Sequence, residues 1–141
     1  MENDVKQEND KKKEYLRQYG CALRAERAIE EEIQQVRLDK MFPALVQDGM
    51  PHGSGGNSDL SAFVVKVDEL LAELKKQAEK RITLRQGIVR KIEQMDDETE
   101  KLVLRLRYIQ LLKWEEVAVK MDYDYRYILK VHGRALKNFE I

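Results

Sequence analysis

Apolar residues recur at alternating intervals of three and four in two long stretches of the chain. In residues 12 to 41 the stripe consists of Tyr15, Tyr19, Ala22, Ile29, Ile33 and Val36, with Glu26 as its polar interruption. In residues 59 to 95 it consists of Leu60, Val64, Val67, Leu71, Leu74 and Ala78, continued less regularly by Ile82, Ile88, Ile92 and Met95. Such spacing is typical of a helix that packs along another helix. The sequence therefore predicts two long helices in an antiparallel hairpin, or in a coiled coil with a second chain.

The segment between these stretches breaks the helical pattern. Residues 42 to 58, FPALVQDGMPHGSGGNS, contain both prolines of the chain and four of its glycines. Glycine and proline interrupt helices, so this segment is predicted to be a flexible loop, and Ser58 or Asp59 is predicted to cap the second helix. Residues 1 to 11 are charged and lack apolar anchors, which predicts a disordered start.

Charge and cysteine content narrow the function classes. The 26 basic and 26 acidic residues cancel, so a nucleic-acid site has to arise from local clustering of charge. The single cysteine, Cys21, has no partner for an internal disulfide, which favours a reducing, cytoplasmic location. No apolar run approaches the roughly 18 residues of a membrane span, and the polar N-terminus does not have the pattern of a secretory signal.

The last third of the chain, residues 96 to 141, changes to short helices. Asp97 and Glu100 form a capping-box-like pair, and Leu102, Val103, Leu106 and Ile109 are predicted to face a core. A second short helix runs from Trp114 to about Met121, with Trp114, Val117, Ala118 and Met121 on one apolar face. Asp122–Asp124 form a turn, and a last helix runs from Tyr125 to about Phe139. The absence of alternating apolar and polar residues predicts an all-α fold.

The last helix has two distinct faces. Asp124 is its predicted N-cap, and Tyr123 is placed to pack on Ile128. Its inward stripe is Ile128, Val131, Ala135 and Phe139, whereas Arg126, Lys130, Arg134 and Lys137 lie on a different face as a basic ridge. A short helix, a tight turn and a basic helix are typical of a helix-turn-helix, whose second helix enters the DNA major groove.

Three segments of this region resemble region 4 of sigma factors: LRLRY at Leu104–Tyr108, WEEVAVKM at Trp114–Met121 and RALKNF at Arg134–Phe139. More narrowly, DYRYILKVHGRAL, with the pair His132–Gly133, resembles the last helix of small phage and prophage transcriptional regulators that carry a sigma-70 region 4-like module. Three positions depart from the pattern. Lys113 replaces a small hydroxyl residue, whereas Leu111 and Asp122 stand where glycine is usual. An Asp tolerates the left-handed conformation that such a turn requires.

The resemblance and the helix-turn-helix pattern assign roles to individual residues. Tyr125, Arg126 and Leu129 are expected nearest the bases, and Lys130, Arg134 and Lys137 on the backbone or flanking bases. Arg107 and Lys113, together with Arg105, are expected to contact phosphate from the supporting segments. The expected core of the module is Tyr108, Trp114, Val117, Met121, Ile128 and Leu136.

These features predict a DNA-binding regulator in the cytoplasm of a bacterial host cell, acting on double-stranded DNA with bacterial RNA polymerase and forming a homodimer through its long helices. The alternative is a helical protein-interaction factor without specific DNA readout, binding RNA polymerase or resembling a phage assembly component such as a small terminase subunit. A basic ridge is often only a solvated face, and Trp114 and His132 suit a core better than a binding site. GSGG lacks the following Lys-Ser/Thr of a phosphate loop, and no enzyme, metal or cofactor is predicted.

Overall fold

A computed structural model describes residues 1–41 and 56–141 of the chain, with side chains from residue 60 onward in the second range. The elements in chain order are α1 (Glu2–Met41), α2 (Gly56–Glu93), α3 (Glu98–Leu104), a π-helical segment (Arg105–Ile109), α4 (Trp114–Met121) and α5 (Tyr125–Asn138). Helix α1 packs against α2 as a hairpin, and the three short helices pack together. The described ranges contain no strand. The predicted all-α hairpin followed by three short helices is confirmed.

The chain divides into two compact units. The first consists of Met1–Ala22 with Arg81–Ile141, and the second consists of Leu23–Lys80. The short helices thus share a unit with the beginning of α1 and the end of α2. The sequence-based division placed residues 96–141 in a module of their own. Within the two described ranges, no helix combines the length and the apolar character that a membrane crossing requires.

The second unit is built on the facing sides of the two long helices. On α1, Ile33 is buried and Ile29 and Val36 are half-buried, as the predicted stripe requires. On α2, Val67 is buried but Leu60, Val64 and Leu71 are exposed, while Leu70 is buried in their place. The predicted seam on α2 was therefore partly wrong. Two apolar stripes overlap at Val67 and Leu74, and the packing against α1 selects the one that contains Leu70.

The long helices begin earlier than their sequences suggested. Helix α1 starts at Glu2, so the segment expected to be disordered is helical, with Lys12 paired to Glu8 at 3.5 Å one turn away. Helix α2 starts at Gly56, before the capping positions predicted at Ser58 and Asp59. The remainder of the predicted loop, residues 42–55, lies outside the described residues.

The first unit has the larger apolar core. Its buried members come from every element of the unit and include Leu16, Ile88, Ile92, Val103, Leu104, Leu106, Val117, Ile128, Val131, Leu136 and Phe139. Val103, Leu106 and Ile109 face inward as predicted, but Leu102 is 44% exposed and Leu104 is buried instead. The wider π-helical turn after Leu104 changes the angular spacing of the side chains, which a regular α-helical pattern does not represent.

Candidate nucleic-acid interface

Helix α3 and the π-helical segment form the support against which α4, the following turn and α5 rest. The Asp97 carboxylate accepts a hydrogen bond from the backbone N–H of Glu100 at 2.9 Å, so Asp97 caps α3. The predicted capping box is only half present, because the Glu100 carboxylate accepts hydrogen bonds from Asn138. The segment ends with the Gln110 N–H bonded to the Arg105 carbonyl at 2.9 Å and the Leu112 N–H bonded to the Leu106 carbonyl at 3.0 Å. Between these residues Leu111 has a left-handed backbone, with φ of 60°. This reversal turns the chain toward α4.

Arg107 holds the loop between the π-helical segment and α4. Its guanidinium donates a hydrogen bond to the Leu112 carbonyl at 3.0 Å and lies 4.7 Å from the centre of the Trp114 ring. These contacts fix the start of α4, which has Lys113 at its N-cap without a side-chain cap. Arg107, expected to bind phosphate, thus has a structural role in the free protein.

The turn between α4 and α5 is closed by a left-handed residue. Asp122 has φ of 56° and ψ of 46°, as its predicted left-handed conformation requires. The Asp122 N–H bonds to the Val119 carbonyl at 3.2 Å, and the Tyr123 N–H bonds to the Ala118 carbonyl at 3.0 Å. These bonds satisfy carbonyls that the end of α4 would otherwise leave without donors. They fix the direction in which α5 leaves the turn.

A small apolar cluster sets the rotation of α5 about its own axis. Val117 and Ala118 of α4 are buried against Ile128 and Val131 of α5, together with Val103 and Leu106; Leu112, Trp114 and Met121 pack on the cluster from its edge. The inward stripe of α5, which is Ile128, Val131, Ala135 and Phe139, is fully buried. Tyr108 and Leu136 are also buried. The side chains expected to hold the module together are thus either buried or packed on the edge of this cluster.

The start of α5 differs in detail from the prediction. Asp124 occupies the N-cap position, but its side chain makes no capping hydrogen bond. The ring of Tyr123 contacts the ring of Tyr127, with centres 5.0 Å apart, and 45% of Tyr123 is exposed. Because Tyr127 is itself 40% exposed, this aromatic pair lies at the surface beside the turn.

The residues expected to contact DNA from α5 are brought to its outward side. Arg126, Lys130, Arg134 and Lys137 are exposed, and α5 contains no acidic residue. Tyr125 and Leu129 retain 41% and 39% exposure near the beginning of the helix. Lys113 is exposed at the start of α4. Within the described ranges none of these five cations forms an ion pair, whereas Lys101 and Arg105 are paired with Glu93 at 3.5 and 2.9 Å.

His132 of α5 contacts both the π-helical segment and α4. Its Nε2 atom is hydrogen bonded to the Tyr108 hydroxyl at 2.8 Å, and its ring lies 4.4 Å from that of Trp114. Burial lowers the pKa of His132 to about 4, and the positive charges of Lys13, Arg107 and Arg17 act in the same direction. Burial also raises the pKa of the Tyr108 hydroxyl. His132 is therefore neutral near pH 7 and serves as part of the core edge.

Two polar anchors hold the end of α5, and sequence reasoning did not identify either. Lys12 of α1 is buried and donates from Nζ to the Leu136 carbonyl at 2.8 Å and to the Lys137 carbonyl at 3.4 Å. The Asn138 amide donates to both carboxylate oxygens of buried Glu100, at 3.0 and 3.1 Å. The partners are distant in sequence, so no local pattern could have paired them. A lysine near the carbonyl end of a helix also interacts favourably with the helix dipole.

Comparisons with known proteins add no relative. No protein-family model, no curated protein and no solved structure matches this chain. The residues and the surface that they form are therefore the basis of the functional assignment.

Proposed function

We propose that this protein is a sequence-specific, double-stranded-DNA-binding transcriptional regulator of phage or prophage type, which activates transcription with host RNA polymerase. The observation that carries the proposal is the outward side of α5. It presents Arg126, Lys130, Arg134 and Lys137, without carboxylate partners in the described ranges, beside exposed Tyr125 and Leu129. The resemblance of residues 97 to 139 to sigma factor region 4 supports the same assignment.

The chemistry of this surface suits a duplex. Cationic side chains that neutralise phosphates supply most of the sequence-independent affinity for DNA. Residues near the N-terminus of a recognition helix are the ones that reach base edges in the major groove. Tyr125, Arg126 and Leu129 lie near the beginning of α5, and in the proposed complex the cations that follow would reach the backbone. The left-handed turn at Asp122 and the buried inward stripe hold this arrangement before DNA binds.

The proposal includes a homodimer formed through the long helices. Leu60, Val64 and Leu71 are exposed on α2 at intervals of four and seven, which places them on one side of the helix. Burial of this side against a second copy would remove apolar surface from water. A dimer would also present two recognition helices to two half-sites.

The first experiment selects bound fragments from a random DNA pool with purified protein at two salt concentrations, with and without bacterial RNA polymerase. An enriched motif with the protein alone supports sequence-specific reading, and its half-site spacing reports the dimer. Enrichment only in the presence of polymerase would show an adaptor whose main surface binds protein. The absence of enrichment under all conditions would overturn the DNA-reading proposal.

Substitution of the recognition helix tests the assignment of the surface. Arg126→Ala with Lys130→Ala should lower affinity for the selected site by at least about a hundredfold, since the variant can bind neither the base nor the phosphate that these side chains reach. Both side chains are exposed, so the melting temperature should stay nearly unchanged. Lys75→Ala with Lys76→Ala removes the same charge from an exposed part of α2 and is the matched control. Retained binding in the α5 variant would show that another surface reads DNA.

The alternative function is a helical protein-interaction factor that binds RNA polymerase or a phage assembly component without reading DNA. The exposed side chains Leu60, Val64 and Leu71 favour it, because they offer an apolar surface to another protein. Light scattering distinguishes a phage assembly component from a polymerase-binding factor. A component like a small terminase subunit would form a ring-sized oligomer. A monomer or dimer that binds a DNA motif would exclude the assembly component.

A further inference from the structure

We propose that the DNA-binding surface extends beyond the helix-turn-helix onto α1, where Lys13 and Arg17 contact the phosphate backbone of the bound duplex. This inference rests on the proposed function, and it adds a second element to the surface. Neither residue belongs to the region that resembles sigma factor region 4.

Side-chain contacts place this part of α1 beside the end of α5. Lys12 donates to the carbonyls of Leu136 and Lys137, and the rings of Tyr15 and Phe139 have centres 6.0 Å apart. Leu16 is fully buried in the same unit. The turn of α1 that contains residues 12 to 16 is therefore packed against the last turn of α5. Lys13 and Arg17 are four residues apart and lie on one flank of this turn.

The positive charges of Lys13 and Arg17 act on His132, at the edge of the module's core. Lys13 is half-buried and Arg17 is exposed. Both lower the pKa of His132, which lies in the middle of α5, and Arg107 acts in the same direction. This electrostatic effect agrees with the side-chain contacts that place this part of α1 beside the end of α5. Together with the basic ridge, they give cations on two neighbouring helices of one compact unit.

These cations lack the compensation that others in the unit have. Lys12 is paired with Glu8, and Lys101 and Arg105 are paired with Glu93. Within the described residues neither Lys13 nor Arg17 forms an ion pair. Both cations therefore keep their charge available to an anionic partner.

The distribution of these charges identifies the kind of anion. A single phosphate ion needs donors that converge on one point, whereas these cations are spread along α1, α4 and α5. A nucleic-acid backbone carries phosphates at regular intervals and matches such a spread. Contacts to phosphate position a protein on the duplex but carry no direct sequence information. Lys13 and Arg17 should therefore raise affinity for all DNA sequences alike.

The test compares wild type with a double variant that combines Lys13→Gln and Arg17→Gln. Affinity is measured for the selected site and for an unrelated duplex of the same length. The expected result is a loss of about tenfold in affinity for both duplexes, with base preference unchanged. The plot of log affinity against log salt should become shallower by about 0.9 for each phosphate that the variant no longer neutralises. The charge-retaining pair Lys13→Arg and Arg17→Lys should keep wild-type affinity, and circular dichroism should show unchanged helix content in both proteins.

A matched control removes the same charges from other surfaces of the unit. Lys11 is exposed on the opposite flank of the buried face of α1, and Arg90 is exposed on α2. Lys11→Gln with Arg90→Gln should change affinity by less than about twofold, because only screened long-range attraction is removed. An equal loss in this control would reduce the effect to net charge and overturn the inference.

The DNA binding of the two double variants and of wild type separates the inference from the proposed function. If Arg126→Ala with Lys130→Ala abolishes binding while Lys13→Gln with Arg17→Gln leaves it unchanged, the inference fails and the proposed function stands. If wild-type protein binds no DNA, both fail.

The pKa of His132 tests the placement of Lys13 and Arg17. Followed by NMR, this pKa should rise in the double variant that combines Lys13→Gln and Arg17→Gln, because two nearby positive charges are removed. An unchanged pKa would contradict the placement of these side chains.

Discussion

Two residues with left-handed backbone geometry determine how α4 is attached at its ends. Asp122 ends α4 with φ of 56°, and Leu111 stands before α4 with φ of 60°. The role of Asp122 was predictable, since an Asp adopts this conformation more readily than most residues. The conformation of Leu111 was not predictable from leucine itself. The only sign was that glycine is usual at this position in the proteins that the segment resembles.

Leu111→Gly should leave the stability of the protein nearly unchanged. A left-handed conformation costs a non-glycine residue about 1–2 kcal/mol, and glycine escapes this cost while losing more entropy on folding. Leu111 is 38% exposed, so its removal also sacrifices the larger part of its apolar burial, about 1–2 kcal/mol. We expect the free energy of unfolding, measured in urea, to change by less than about 1 kcal/mol. Leu112→Gly is the contrasting variant and should destabilise more, because Leu112 packs on the core cluster. A loss of more than about 1 kcal/mol in Leu111→Gly would show that the leucine side chain outweighs the strain.

Among the elements, the short helices were the most predictable from sequence. Helix α4 has the predicted bounds, and α5 begins at the predicted Tyr125, because local apolar spacing and turn residues determine both. The beginning of α1 was missed because its first residues carry few apolar side chains. The π-helical segment was missed because its extra residue per turn leaves no distinct pattern in the sequence. The seam of α2 was ambiguous because two stripes share Val67, and only the packing of α1 selects between them.

Helix α5 depends on α1 for the capping of its end, and this dependence can be measured. Lys12→Met keeps an apolar stem of similar length but removes the donor to the carbonyls of Leu136 and Lys137. Hydrogen bonds from charged donors contribute about 1.5–3 kcal/mol, and burial of the ammonium group offsets part of this. We expect the free energy of unfolding to fall by about 1–2 kcal/mol. Amide hydrogen exchange should accelerate most in the last turn of α5.

The adjacent lysine provides the control for this prediction. Lys11 is exposed, and Lys11→Met should change the free energy of unfolding by less than about 0.5 kcal/mol. Equal stability of Lys12→Met and wild type would show that water replaces the lysine at these carbonyls. Faster exchange throughout the unit, without preference for α5, would show a general loss of packing instead of a local capping effect.

At the scale of the whole molecule, zero net charge conceals a local sorting of charge. The sequence revealed the ridge on α5 because its four cations recur at helical spacing within one element. It did not reveal Lys13 and Arg17, since their position beside α5 depends on contacts between residues more than a hundred positions apart. Sequence periodicity thus identified the part of the candidate site that lies on one helix. The part that joins two helices required the tertiary structure.

The packing of α5 on the π-helical segment and α4 buries His132 and makes the stability of the molecule depend on pH. The pKa of His132 is lowered to about 4 in the folded protein by burial and by the charges of Lys13, Arg107 and Arg17, whereas an ordinary histidine has a pKa near 6.5. Between these values the unfolded chain binds the proton and the folded protein does not. The contribution of His132 is therefore complete above about pH 7, falls as the pH drops, and changes no further below about pH 4.

A comparison of wild type with His132→Gln isolates this contribution. In wild type the histidine should lower the free energy of unfolding by about 2–3 kcal/mol between about pH 7 and pH 4. His132→Gln should be less stable at neutral pH, because glutamine cannot reproduce the ring packing on Trp114 and the hydrogen bond to Tyr108, yet its stability should fall less steeply toward acid pH. The carboxylates and His52 are common to both proteins, so they cancel in the difference between urea unfolding curves.

The pH dependence of the stability difference between wild type and His132→Gln shows whether His132 can be protonated in the folded protein. Parallel pH profiles would mean that His132 becomes protonated without unfolding, as a histidine open to water would. A difference that develops between about pH 6.5 and 4 would instead show that the edge of the core excludes a proton. The physical reason would be that Tyr108 and Trp114 pack against the ring, while Lys13, Arg17 and Arg107 add their positive charge.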